Sequence, residues 1–368
     1  MDPSRHLFRP PPPKPLAIAQ IAGIACRVPP RDTGGTELVI ANLTRGLLER
    51  GHRVTLFASG DSRTEAELRS VVARATQDDP GSNLYLEREL DVRNASEAYE
   101  RSGEFDVIHA HWPTSAAYFS DRADCPTLLT FDYMERPIYA YYRERFPKLA
   151  FACVSRAQAE SLDPTLPVVL NGIDVDAAPF GAEPGGYLLT VGRLVPGKGA
   201  ADAIEIARRA GLPLVIVGDV SPYLPESRAY YETEIAPHVD GERVVLHRRL
   251  PNRRVLELMS GARAFLFPIR WEEPFGLVVA EAMAAGTPVV ATPRGSLPEL
   301  VEEGVTGWLA ESLDDLAAAV GRAAAIDRVN VRRAARARFD YRRMAAGYEE
   351  LYRRLSRRRA ARREAARR

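Results

Sequence analysis

The feature that most constrains this chain is a rhythm of short, unbroken apolar runs, each followed by a loop and then by helical spacing, that passes through the sequence twice. The first series runs Leu16 to Ile24, Val54 to Ala58, Phe105 to His109, Thr127 to Phe131, Leu149 to Val154 and Val168 to Leu170. After the first run come Gly34 and Gly35, then Leu38, Leu43, Leu47 and Leu48 at helical spacing. Continuous rather than alternating apolar runs are what parallel strands buried on both faces require. From Asn171 to Gly186 the composition turns to Gly, Pro, Asp and Ala with little periodicity, which reads as a linker. The rhythm then resumes with Tyr187 to Val191, Leu212 to Val217, Arg243 to His247, Ala264 to Pro268 and Pro288 to Ala291. Helical segments stand between them at Ala201 to Arg209, Val255 to Ser260 and Leu277 to Ala285. The expectation is an α/β chain of two Rossmann-like, doubly wound parallel-sheet domains facing a cleft. Its 368 residues, 46% of them hydrophobic, are ample for two cores.

The expected divisions are a Pro-rich arm over 1–15, a first domain over 16–178, a second over 179–338, and a terminal helix with a basic tail over 339–368. The terminal helix follows from Met344, Tyr348, Leu351 and Leu355, an apolar face that should dock on a domain.

No run reaches the roughly 20 apolar residues that span a bilayer, and the N-terminus carries no apolar signal core, so the expected location is the cytoplasm. Three widely spaced cysteines, Cys26, Cys125 and Cys153, suggest neither a disulfide framework nor a metal motif. The net charge of +1 conceals an asymmetry: Leu351 to Arg368 holds nine Arg and one Glu, or +8, which leaves −7 for the rest. The tail reads as a solvated helix end, with weak contact to an anionic membrane as the next alternative; no nucleic-acid partner is expected. The preference for arginine over lysine points to a GC-rich bacterial genome, and it makes each of the three lysines conspicuous.

Ligands of open α/β sheets sit beyond the carboxyl ends of the strands, and four motifs occupy such places. Gly34-Gly35-Thr36-Glu37 opens the first helix, where glycine admits a phosphate or sugar to the helix N–H groups, or simply makes a tight turn. His109-Ala110-His111-Trp112 ends a strand. On an extended backbone both imidazoles share a face, so a metal site, a structural histidine and an active-site histidine are all open, with His111 the choice for an active role. No third metal ligand is evident.

Gly192-Arg193-Leu194-Val195-Pro196-Gly197-Lys198-Gly199 places two cations around a loop that ends a strand. They suit the negative charge that develops on a leaving diphosphate, unless they are a solvated surface pair. The fourth motif, Glu273-Pro274-Phe275-Gly276-Leu277-Val278-Val279-Ala280-Glu281, is the most specific. Two carboxylates eight residues apart can each accept hydrogen bonds from a vicinal diol, and the N–H groups of Phe275, Gly276 and Leu277 suit a phosphate.

Taken in order, GGTE, DVIHAHW, VSRAQAE, LNGID, VGRLVPGKG and EEPFGLVVAEAMAAGTPVVAT make the chain resemble the GT-B glycosyltransferases of the retaining family 4 type, glycosyl transferases group 1. The resemblance covers essentially the whole chain. It implies that a hexose-type sugar passes from a nucleoside-diphosphate sugar to a hydroxyl acceptor with retention of configuration, without a metal or other cofactor. It further implies that Glu273 binds the donor sugar, that Glu281 binds the ribose, and that Arg193 and Lys198 hold the diphosphate with the backbone at Gly35, Gly192, Phe275, Gly276 and Leu277. His111 would approach the reacting carbon. The only Asp-x-Asp, Asp174 to Asp176, lies in the linker and is expected to form a turn. Two departures fall where the family contacts the base: Val217-Gly218-Asp219-Val220 is followed by Ser221-Pro222 where many relatives carry a second glycine, and the loop His247 to Asn252 is unusually rich in arginine, with Arg248 and Arg249 preceding Leu250. They leave the nucleotide open. The competing expectations are a non-catalytic nucleotide-sugar-binding protein, which would have lost Glu273, His111 or the cationic pair, and a phosphorylase or epimerase on the same fold, of which the phosphorylase would need a phosphate site or a cofactor lysine.

Overall fold

The computed structural model describes residues 14–32, 34–111, 113–131, 134–221 and 224–367, with backbone alone at 113–115 and 358–367. Most of the Pro-rich arm, Trp112 of the histidine motif and the side chains of the outer tail lie outside the described residues.

Six parallel strands form the first sheet: β1 (Ala17–Ile21), β2 (Arg53–Phe57), β3 (Glu67–Arg69), β4 (Val107–Ala110), β5 (Thr127–Thr130) and β6 (Ala150–Ala152). Six more form the second: β7 (Leu188–Val191), β8 (Leu214–Val217), β9 (Val244–His247), β10 (Ala264–Phe267), β11 (Val289–Ala291) and β12 (Gly307–Leu309). The orders are β3-β2-β1-β4-β5-β6 and β12-β11-β10-β7-β8-β9, one topology used twice. Each sheet therefore reverses direction once, between β1 and β4 and between β7 and β10, and those are the points where open α/β sheets form binding crevices. The central strands are buried on both faces, as β1, β4, β5 and β10 show throughout.

Two strands were not expected, β3 and β12. Both are three-residue edges with partly exposed side chains, so neither writes a continuous apolar run. The expected strand at Val168 to Leu170 is not one: Cys153 and Val168 form a single isolated bridge, and the chain then leaves the sheet.

The linker is packed rather than loose. The Ile173 N–H donates to the Phe339 carbonyl and the Tyr341 N–H donates to the Ile173 carbonyl, so that the outgoing and returning crossings run side by side. Asp174 turns the chain by accepting from the N–H groups of Asp176 and Ala177, and its other oxygen pairs with Arg45 at 2.6 Å. Asp176 pairs with Arg336 and Arg342. Both aspartates are thus engaged in a turn and in ion pairs.

The returning crossing leads into the terminal helix Tyr341–Arg367, which docks on the first domain. Tyr341, Met344, Tyr348, Leu351 and Tyr352 share one core with Ile18, Leu43, Leu47 and Val107. At its centre lies His109, fully buried and held neutral because burial drives its pKa well down. A neutral imidazole has one donor and one acceptor nitrogen, and both are met: Nδ1 by the Tyr352 hydroxyl at 2.6 Å and Nε2 by Thr130 Oγ1 at 2.9 Å. His109 is therefore structural. Replacing Tyr352 by phenylalanine is expected to strand Nδ1 and to lower stability by about 1–3 kcal/mol, read as an earlier denaturant midpoint. An unchanged midpoint would show that Nδ1 finds another partner. No described helix is long and apolar enough to cross a membrane.

Candidate active site

The four loops that leave β1, β4, β7 and β10 flank the two reversal points, and they carry the four motifs. From the first domain comes the N-terminus of helix Gly35–Glu49. It faces the N-terminus of helix Leu277–Ala284 across the cleft so closely that a Cβ on Gly35 would stand 3.1 Å from Leu277 Cδ1. A helix leaves its first N–H groups without intrahelical acceptors and concentrates positive potential there. Two such ends meet here.

Lys198 and Glu273, 75 residues apart, meet beside them: Nζ donates to Glu273 Oε2 at 2.6 Å. Trp271 Nε1 donates to the same oxygen at 3.0 Å, and its ring lies 4.4 Å from the ammonium. The pair is sequestered, with side chains 17% and 11% exposed. Burial lowers the Lys198 pKa, and the nearby Arg193 charge works in the same direction against the pull of Glu273. An ammonium has three protons, so after one goes to Glu273 two remain for an anion. Lys198 is not a solvated surface residue; Arg193 is exposed. Gly192 and Gly218 stack the loops tightly, and a Cβ on Gly218 would fall 2.1 Å from the Gly192 carbonyl oxygen.

Glu273 sits where the chain enters the helix. Gly276, at φ +85, makes the turn, and a Cβ placed on it would lie 3.5 Å from Glu273 Cγ. Phe275 is buried and anchors the turn in the core. Glu281, one turn into the helix, is 7% exposed and has its carboxyl pKa pushed up to about 7 by burial, opposed by one hydrogen bond at 3.0 Å from Asn252 Nδ2.

His111 is buried, and burial lowers its pKa to about 3. It is therefore neutral near pH 7. Its Nε2 lies 3.0 Å from Gln20 Oε1, while the Gln20 amide nitrogen donates to Thr44. That fixes the amide, so Nε2 carries the proton and Nδ1 is the acceptor. The His109 and His111 rings do share a face, 4.0 Å apart, but His109 is already satisfied, and among the described residues no three His, Cys, Asp or Glu side chains gather.

At the loop expected to contact a base, Arg248 and Arg249 both grip Asp219, the latter at 2.5 Å. Arg249 holds φ +52, a left-handed conformation unusual for a side-chain-bearing residue. Leu250 packs on the second-domain core. Sequence reasoning missed Gln20, Trp271 and Asn252. Gln20 alone had a signal, as the one polar residue inside an otherwise apolar run.

Comparison with known proteins bears on the same regions. The family glycosyltransferase family 4 matches residues 33–177, and the family glycosyl transferases group 1 matches residues 177–338. A D-inositol 3-phosphate glycosyltransferase of Xylanimonas cellulosilytica is 28% identical over 90% of this chain and 94% of its own length. A glycogen synthase of Mycobacterium tuberculosis is 34% identical over 50% of this chain, which spans 47% of that relative. The crystal structure of AviGT4, a glycosyltransferase involved in avilamycin A biosynthesis, superposes with a TM-score of 0.70 at 26% identity, covering 93% of this chain and 98% of that one. With both halves matched in order, around a cleft that brings their motifs together, this chain is a glycosyltransferase and belongs to the GT-B enzymes of the group 1, family 4 type.

Proposed function

We propose that the enzyme moves a hexose-type sugar from a nucleoside-diphosphate sugar to a hydroxyl acceptor, with retention of configuration and without a metal ion. The observation that carries this reading is the Lys198–Glu273 pair at the mouth of two facing helix N-termini. In it, the second oxygen of Glu273 accepts hydrogen bonds from the sugar hydroxyls, while the remaining Lys198 protons, Arg193 and the helix ends take the diphosphate. Glu281, within the same helix, accepts from the ribose diol. Neutral His111 offers Nδ1 to a sugar hydroxyl near the reacting carbon.

Breaking the bond from the anomeric carbon to phosphate oxygen puts negative charge on the leaving diphosphate, which the preorganised cations stabilise. The acceptor oxygen then bonds to the same face of that carbon, and its proton passes to the departing phosphate oxygen. The engagement of Asp174 and Asp176 in ion pairs supports metal-independent transfer, because the only Asp-x-Asp is occupied by Arg45, Arg336 and Arg342. Glu273, His111, Arg193 and Lys198, one or more of which a binding-only protein would lose, are all present. The name of the Xylanimonas relative makes a phosphorylated polyol the first acceptor to try.

The test is nucleoside diphosphate release from a panel of UDP-, GDP-, ADP- and dTDP-sugars, without acceptor and with EDTA, beside Glu273→Ala. Slow cleavage of one donor that survives EDTA and is lost in the variant is the expected result. Neither binding nor cleavage of any donor would overturn the reading, and cleavage abolished by EDTA would overturn its metal-independent part.

A further inference from the structure

The segment Val154 to Glu160 is a motif that the donor site does not use. Val154, Ser155 and Gln158 are buried, although the segment follows the last strand of the first sheet. Val154 packs into the core of the second domain. At its head, the N–H of Arg156 donates to both oxygens of Glu299, at 3.0 and 3.1 Å, across 143 residues of sequence. The Ser155 hydroxyl and the Ala157 N–H face the same carboxylate. A second-domain carboxylate therefore clasps the first domain.

The turn that carries Glu299 also holds Glu273. Ser296 N–H donates to the Glu273 carbonyl at 2.8 Å, and Ser296 Oγ donates to the Phe275 carbonyl at 2.7 Å. Gly295 lies so close that a Cβ there would stand 2.4 Å from the Glu273 nitrogen. Leu297 and Leu300, on either side of Glu299, are fully buried, so the turn moves as one with the core. On the first-domain side, Gln158 accepts from Val154 N–H at 2.8 Å and donates to the Phe131 carbonyl at 2.9 Å, just past the carboxyl end of β5. The bonds run without a gap from Glu273 to the lip of the opposite domain.

We propose that Glu299 is a positioning residue for transfer, a clasp that sets the spacing of the two domains and holds the Glu273 loop in register with the first-domain lip. It touches no substrate; it acts through Ser296 and through Ser155 to Ala157. This rests on the donor reading above only for its consequence in catalysis, since the clasp itself is a contact between domains. A misplacement of about 1 Å at a reacting centre can lower a rate about 100-fold.

The test uses the full chain with Glu299→Ala and Glu299→Gln. Small-angle scattering should show a larger radius of gyration for the alanine variant and a return toward wild type for glutamine, whose amide oxygen still accepts an N–H. With the donor that wild type cleaves, kcat for cleavage should fall about 10- to 100-fold in alanine at a calorimetric Kd changed less than threefold, with partial recovery in glutamine. Unchanged scattering in both variants overturns the clasp. Unchanged kcat, or a loss of kcat that follows a loss of donor affinity, overturns the positioning role. If wild type cleaves and binds no donor, the donor reading fails, and scattering still decides the clasp.

Discussion

Replacing Lys198 by methionine is expected to lower kcat for donor cleavage about 100- to 1000-fold, which is the range for removing one preorganised group that meets charge developing in a transition state. Methionine keeps most of the stem, which lies 3.7 Å from the ideal Cβ position of Gly192, so the loop around it should stay in place. Two functions go together in this variant. The leaving diphosphate loses a cation, and Glu273 Oε2 keeps only the Trp271 N–H as a partner. Because the second loss also misplaces the Glu273 carboxylate, Lys198→Met and Glu273→Gln should be strongly non-additive: the double variant should be little slower than Lys198→Met alone. A kcat within threefold of wild type would remove Lys198 from the chemistry. Additive losses would separate it from Glu273.

The sequence disclosed the sheets because parallel strands covered on both faces are apolar without interruption, and it hid β3 and β12 because three-residue edges are not. The same logic divides the site. Lys198, Glu273 and Glu281 were legible, since each is a charged residue at the carboxyl end of a buried strand or inside a short helix, where charge demands a reason. The ion pair between Lys198 and Glu273 was not, because the two are 75 residues apart in sequence and are brought together only by the adjacency of β7 and β10 in the sheet. Of the two histidines, position nearer the cleft end favoured His111, but both rings share a face, and what identifies His109 as the satisfied one is the arrival of Tyr348 and Tyr352 on the terminal helix. Glu299 was invisible for the same reason, since nothing local distinguishes a glutamate that crosses the cleft from one that meets water.

The second large effect concerns Glu281, where stability and binding should move in opposite directions. Its carboxyl titrates near pH 7 in the folded protein against a usual 4.5, because it is buried with a single donor, Asn252. As pH rises through 4.5 the unfolded chain gives up this proton first, so between pH 4.5 and 7 the folded state binds more protons and stability falls with rising pH. Above pH 7 the penalty is complete, on the order of 3 kcal/mol for a shift of this size. Glutamine has the same shape, can still accept from Asn252, and never ionises. Glu281→Gln is thus expected to raise stability by about 1–3 kcal/mol at pH 8 and by almost nothing at pH 4. Denaturant unfolding at the two pH values reads this directly, and an equal gain at both would mean that the buried charge is not the cause. Nucleotide affinity should fall about 10- to 100-fold at pH 8, because an ionised carboxylate accepting from a diol makes charge-assisted bonds worth about 1.5–3 kcal/mol, and the amide supplies one acceptor where the ribose wants two. In the wild type the diol should draw the carboxyl toward ionisation, so binding of the free nucleoside diphosphate near pH 6.5 should release protons, seen as a dependence of calorimetric heat on buffer. A buried carboxylate with a single donor is costly in the fold itself, and in the proposed reading a ribose diol would offset that cost by completing its hydrogen bonds.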